Sequence, residues 1–316
     1  MINTNRILLQ LNEYIEYKHS LGFEIKHEEC VLRNFVKYTL ESEYDGPLTR
    51  EIVFEWISSG IQTDKTMGRK LEAVRPFMKY AAVFDEDAEV ICGRVYRNVH
   101  ERPVPYIYTE DETMRLMNQC NGLYSPDGIR SKTVAIVIGL LWATGLRPSE
   151  ATQLQNRAVD TDNNIIHVIN TKFGKERLVP IDSSVSKHLT AYRGWISEKI
   201  GCKGEDEPFF YTTGGNPLSE RAMSYAFQKI RGCIDAKTIG YPAVRLYDFR
   251  HTMASRTIMK WSEQGEDINT KLHILSVYMG HVKPQDTYWY ISATPEIMNQ
   301  SCAKYEELFG GDYDEI

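Results

Sequence analysis

The sequence predicts a mainly α-helical fold with a small antiparallel β-sheet, organised as two domains. Three observations carry this reading. Apolar residues recur at helical spacing through most of the chain, two short β-branched runs flank a turn-rich link in the second half, and a proline pair interrupts the pattern near residue 103. Ile7, Leu8, Leu11 and Ile15 mark a first helix, stopped by Gly22 after Leu21. Leu32, Phe35, Val36 and Leu40 mark a second, and Thr49 caps a third through Ile52, Val53, Trp56 and Ile57. A fourth spans Lys65 to Ala81, with Leu71, Val74, Phe77, Met78 and Ala81 on its apolar face. Pro76 is expected to kink or break it. Its other face carries Lys65, Arg69, Lys70, Arg75 and Lys79.

Arg102-Pro103-Val104-Pro105 favours an extended connector. We therefore expect a helical domain over residues 1–101, a linker over 102–108 and a second domain over 109–316. The second opens on a capping box, Thr109 with Glu112, and continues through an apolar helix that holds Val134 to Ala143. A turn follows at Ala143-Thr144-Gly145. Asn164 to Ile169 and Arg177 to Ile181 read as hairpin strands, and helices resume from Val185, Ser219 and Asp248.

Among 316 residues, 42% are hydrophobic and 25% charged, which is globular composition. No apolar run spans a bilayer and no secretory signal is visible, so membrane and secreted classes are excluded and a cytoplasmic location is expected. The six cysteines show no zinc spacing and are expected to be reduced and mostly buried. A net charge of −6 argues against a polyanion partner, but the acids concentrate after Cys302. Val244 to Lys260 holds Arg245, Arg250, Arg256 and Lys260 against Asp248 alone, which points to a local basic face.

Four separated segments carry the chemistry: Ala143-Thr144-Gly145-Leu146-Arg147-Pro148-Ser149-Glu150, Thr171-Lys172-Phe173-Gly174-Lys175-Glu176-Arg177-Leu178-Val179-Pro180, Leu246-Tyr247-Asp248-Phe249-Arg250-His251-Thr252, and Met279-Gly280-His281 followed by Tyr290. In content, order and spacing they resemble the tyrosine recombinase, or phage integrase, family over roughly Thr109 to Ser292. Taken singly each has a bland explanation: Arg147 as a residue at a helix start, Lys172 as a solvated hairpin lysine, His281 as a helix C-terminal histidine.

The resemblance makes Arg147 and Arg250 the catalytic arginines, Lys172 the hairpin lysine, His281 the late histidine and Tyr290 the nucleophile. Phosphodiester transfer builds charge on non-bridging oxygens, which planar, permanently charged guanidiniums suit. A phenol needs a neighbour to take its proton, and a lysine can protonate the departing 5′-oxygen. The covalent 3′-phosphotyrosyl link stores the broken bond, so no cofactor and no metal is expected. Tyr288 is a rival nucleophile, expected instead to pack, and His251 is expected in a buried structural hydrogen bond. Glu150 would orient an arginine or lysine or form a helix salt bridge. Three residues before Arg250 the family has histidine, and here stands Tyr247. Its hydroxyl would donate to a phosphate oxygen in place of the imidazole; the alternative is a core-packed tyrosine.

The resemblance further implies a clamp on double-stranded DNA. The first domain would be the core-binding domain, with Lys65, Arg69, Lys70, Arg75 and Lys79 on phosphates, and the second the catalytic domain. It implies a homotetramer on paired DNA sites, with a C-terminal exchange segment over Pro295 to Phe309, accessory proteins as further partners, and integration, excision or transposition of a mobile element. Three other readings stay open: a catalytically impaired DNA-binding relative, a type IB topoisomerase-like relaxing enzyme, and an unrelated helical interaction protein.

Overall fold

A computed structural model describes residues 5–97, 99–101, 104–169, 176–236, 243–281, 283 and 285–292. The chain separates into two compact units, Met1–Pro103 and Val104–Ile316.

The first unit is built from α1 (Arg6–Ser20), α2 (Lys26–Glu41), α3 (Arg50–Ser58) and α4 (Asp64–Phe84). Each turns its periodic apolar stripe inward, so Leu11, Phe35, Trp56 and Phe77 meet in one core. Asn5 caps α1 by accepting from the Leu8 amide at 3.1 Å, and Gly22 ends it at a φ of +80°. Of the two outcomes expected at Pro76, a kink or a break, the break does not occur, and α4 runs through this proline. Its ring is exposed, while Val74, Phe77 and Met78 on either side are buried and hold the helix through the missing hydrogen bond.

The second unit begins with α5 (Glu110–Gln119), whose capping box is complete: the Thr109 hydroxyl accepts from the Glu112 amide at 3.2 Å and the Thr109 amide donates to Glu112 at 2.9 Å. Next comes α6 (Ile129–Thr144), the centre of this unit, packed against α5 and several later helices. Beyond its first turn it is almost wholly apolar, and Val134, Val137, Ile138, Leu140 and Leu141 are buried. A short α7 (Pro148–Thr152) leads to β1 (Val159–Asp160), β2 (Ile165–Val168) and β3 (Arg177–Pro180), an antiparallel meander in that order. Ile166 opposite Val179 and Val168 opposite Arg177 set the inward face. Then follow α8 (Ser183–Ile200), a second small hairpin of β4 (Tyr211–Thr212) and β5 (Asn216–Pro217) that the sequence reading did not foresee, and α9 (Glu220–Ile230). The remaining described helices are α10 (Asp248–Glu263), α11 (Ile268–Met279) and α12 (Gln285–Ser292), which enclose a separate small core including Ile258, Leu272, Leu275 and Tyr290.

No helix among the described residues is long and apolar enough to cross a membrane, and no cluster of His, Cys, Asp or Glu among them could hold a metal. The cysteines depart from expectation. Cys120 is buried, but Cys30, Cys92 and Cys202 are exposed and Cys233 is intermediate, because each of the exposed three falls on a polar helix face or in a connection.

A candidate active site at the end of α11

The site is assembled from turns that follow helices. Helix α6 ends on Gly145 in the left-handed conformation, φ +61°, and a Cβ there would also meet the Met253 side chain at 2.5 Å. The turn delivers Arg147 to the start of α7. Glu150, one turn on, accepts from the Arg147 amide at 2.9 Å and from its Nη1 at 2.6 Å. The same carboxylate takes Nη1 and Nη2 of Arg177 at 2.9 and 2.8 Å. Burial alone would raise the Glu150 pKa, but hydrogen bonds and charge from Arg177 and Arg147 outweigh it and bring the carboxyl down to about 2. Glu150 thus joins two guanidiniums, which meets both expected roles at once.

Arg250, in the first turn of α10, is fully buried. Its Nη1 donates to the Gly145 carbonyl at 2.9 Å and its Nη2 to the Met279 carbonyl. Burial lowers its basicity, yet a guanidinium stays charged at any physiological pH. Helix α11 ends on Gly280, again left-handed at φ +65°, and the chain turns His281 inward. His281 Nδ1 lies 2.7 Å from the Thr287 hydroxyl, and its Nε2 lies 3.5 Å from the Tyr290 hydroxyl. The two rings stack at 5.7 Å. Burial and then the charges of Arg250 and Arg147 push the His281 pKa down to about 4, so the imidazole is neutral at neutral pH.

Tyr290 is 3% exposed, and burial raises its pKa against the opposing pull of the Arg250 charge. Tyr288 is 46% exposed; it does not pack as expected, because two positions on α12 are about 200° apart and only one can face inward. Tyr247, just before α10, is 41% exposed, which rules out the core-packed alternative. Its hydroxyl is near enough to Arg147 to favour that guanidinium's charge. His251 is half-buried rather than buried, its ring 5.3 Å from those of Tyr247 and Trp289 and 5.1 Å from that of Tyr290.

The structure therefore brings Arg147, Arg250, Tyr247, His281 and Tyr290 into one cluster. Lys172 lies outside the described residues. Arg177 and Thr287 belong to the cluster and were missed. Arg177 carried a signal: it shares the inward side of β3 with buried Val179, an unusual place for a charge.

The basic residues are less uniform than the sequence implied. On α4, Arg69 and Lys79 are exposed, and Lys65 on the same side donates to the Glu101 carbonyl. Arg75 donates to the Gly93 carbonyl at 2.8 Å, and Lys70 sits around the helix over the Trp56 ring at 4.6 Å, so the five do not form one face. Nor does the run from Val244 to Lys260. Arg250 is buried, Arg245 is paired with Asp248 at 2.6 Å and Arg256 lies over Trp142 at 3.9 Å. Helical winding sends neighbouring charges to different sides.

The profile described as the phage integrase family matches residues 107–296, more than half of the chain. Over 292 residues the chain is 29% identical to the Sinorhizobium fredii (strain NBRC 101917 / NGR234) protein y4rE, covering 92% of each. It is 24% identical over 234 residues to tyrosine recombinase XerC of Staphylococcus saprophyticus, covering 73% of this chain and 72% of that one. Among solved structures it is similar to the Tn1549 transposon integrase in complex with circular intermediate DNA, with a TM-score of 0.61, 19% identity, and coverage of 95% of this chain and 99% of that one; this likeness shows the fold.

The depressed basicity of His281 is directly measurable. Its imidazole resonances in the free protein should titrate near pH 4, and the midpoint should rise when Arg147→Ala removes one repelling charge. Because the native pKa lies below the ordinary 6.5, this residue's contribution to stability is present above pH 6.5 and is lost as pH falls towards 4. A midpoint at the ordinary histidine value would contradict a buried imidazole flanked by guanidiniums.

Proposed function

The chain belongs to the phage integrase family, the tyrosine recombinases, enzymes that break and rejoin DNA strands, and from that premise we propose that it is a site-specific recombinase acting through Tyr290. One observation carries the assignment of the nucleophile: the buried Tyr290 hydroxyl lies 3.5 Å from Nε2 of the neutral His281 imidazole.

In this reading the Tyr290 oxygen attacks the scissile phosphorus, the bond from phosphorus to the 5′-oxygen breaks, and a 3′-phosphotyrosyl link forms. Arg147 and Arg250 stabilise the charge that builds on the non-bridging oxygens. With Nδ1–H donating to Thr287, His281 keeps the Nε2 lone pair towards Tyr290 and accepts its proton. The negative charge of a bound phosphodiester raises the imidazole's proton affinity at that moment. Lys172 supplies the proton to the leaving 5′-oxygen, and Tyr247 donates to a non-bridging oxygen. In rejoining, the freed 5′-hydroxyl attacks the phosphotyrosine and the protons return, with no cofactor or metal.

Duplex DNA is the partner, gripped by both units as a clamp, with the exposed Arg69 and Lys79 of α4 as phosphate contacts, while Lys65, Lys70 and Arg75 are engaged within the first unit. The assembly is a homotetramer on paired sites with C-terminal segments exchanged. The segment over Pro295 to Phe309 lies outside the described residues, but Ile274 at 61% and Val277 at 73% exposure give α11 an apolar face fit to receive such a segment. The biological setting is integration, excision or transposition of a mobile element, and the 29% identity to y4rE over nearly the whole chain supports only the shared family.

Tyr247 favours a second reading, a DNA-binding relative with an impaired site. A nicked suicide duplex separates the two, because the liberated end diffuses away and traps an active enzyme. The native protein should form a covalent adduct and Tyr290→Phe none, with duplex affinity changed by less than about threefold because phosphate contacts dominate binding. An adduct formed by Tyr290→Phe would refute the assignment. Tyr247→Phe should slow adduct formation by roughly 10- to 100-fold, the value of one hydrogen bond to a charged group. An unchanged rate would leave Tyr247 without a part in the reaction.

A further inference from the structure

Arg177 stands on β3 five residues after Lys172, and none of the roles above requires it. Its side chain is 9% exposed and faces the 6% exposed carboxylate of Glu150 through two parallel hydrogen bonds of 2.9 and 2.8 Å. The remaining donor, Nε, reaches the Tyr278 carbonyl at 2.8 Å. Gly280 lies against the guanidinium so closely that a Cβ would come within 3.0 Å of its Cδ and Nη1. With Nε and both Nη groups engaged and little surface exposed, Arg177 is not placed to touch a substrate itself.

We infer that Arg177 is a positioning residue for strand transfer: by neutralising Glu150 it leaves the charge of Arg147 available to the scissile phosphate. The inference rests on the recombinase reading above. Glu150 is shared, since Arg147 donates to it through its amide at 2.9 Å and its Nη1 at 2.6 Å. Two guanidiniums on one carboxylate leave one net positive charge. Without Arg177 the same buried carboxylate would be compensated by Arg147 alone, and the pair would present no net charge to an anion. Arg177 also ties β3 to the end of α11. A lysine cannot reproduce this, because it has the charge without the planar fork.

The test compares two nicked suicide duplexes, one with an ordinary scissile phosphodiester and one with an uncharged methylphosphonate at that position. Single-turnover adduct formation is measured for native protein, Arg177→Met, Arg177→Lys and Arg177→Met/Glu150→Gln, with thermal unfolding recorded for each. On the phosphodiester, Arg177→Met should be slower by about 100-fold, in line with loss of one transition-state charge contact. On the methylphosphonate it should stay within about threefold of native, because no charge remains to be neutralised. Adding Glu150→Gln should recover at least about tenfold by removing the uncompensated carboxylate. If Arg177→Met does not fold, Arg177→Lys replaces it, with a smaller loss confined to the charged substrate. Equal losses on both substrates, or a native rate in Arg177→Met, would overturn the role of Arg177 alone. Native protein forming no adduct on either duplex would instead overturn the recombinase reading and, with it, this inference.

Discussion

The carbonyl end of α11 holds the site together. A helix C-terminus leaves carbonyls without intrahelical partners and carries the negative end of the helix dipole. Here three consecutive carbonyls, of Tyr278, Met279 and Gly280, accept from Arg177, Arg250 and Arg147, at 2.8 Å for the first and 3.4 Å for the last. The three arginines come from β3, from α10 and from the turn after α6. One helix end therefore fixes three elements, and His281, the next residue, is placed by the same contact.

Burying guanidiniums is costly, and the structure offsets that cost with carbonyls and with Glu150 rather than with an acid for each base. The outcome is a cluster in which cations outnumber anions, next to a neutral imidazole and a phenol that burial holds protonated. Such a cluster is prepared for an anion that brings its own negative charge. In the proposed reaction a scissile phosphodiester would supply that charge, which would tie the binding of substrate to the activation of the nucleophile.

Local rules made much of the fold legible. The Thr109 capping box, the left-handed stops at Gly22 and Gly145 and the buried helix over Val134 to Ala143 all follow from residue types within a few positions of one another. Arg147, Arg250, His281 and Tyr290 could be named because their segments resemble those of the tyrosine recombinases, although no local rule says they meet. What escaped depends on tertiary register. Arg177 joins the cluster only because β3 faces the end of α11, and Thr287 only because α12 brings it under His281. Pro76 does not end α4 because packing on both sides overrides one lost hydrogen bond, and the basic run from Val244 misled because a linear count of charge ignores helical winding.

The central claim is that Tyr290, and not its exposed neighbour Tyr288, forms the covalent bond to DNA. Mass spectrometric fragmentation of the nucleotide-bearing peptide from a nuclease-trimmed, trapped complex tests it most directly, because one peptide contains both tyrosines and the fragment series separates them. The account predicts that the added nucleotide mass resides on Tyr290. A modified Tyr288, which is 46% exposed, would contradict it.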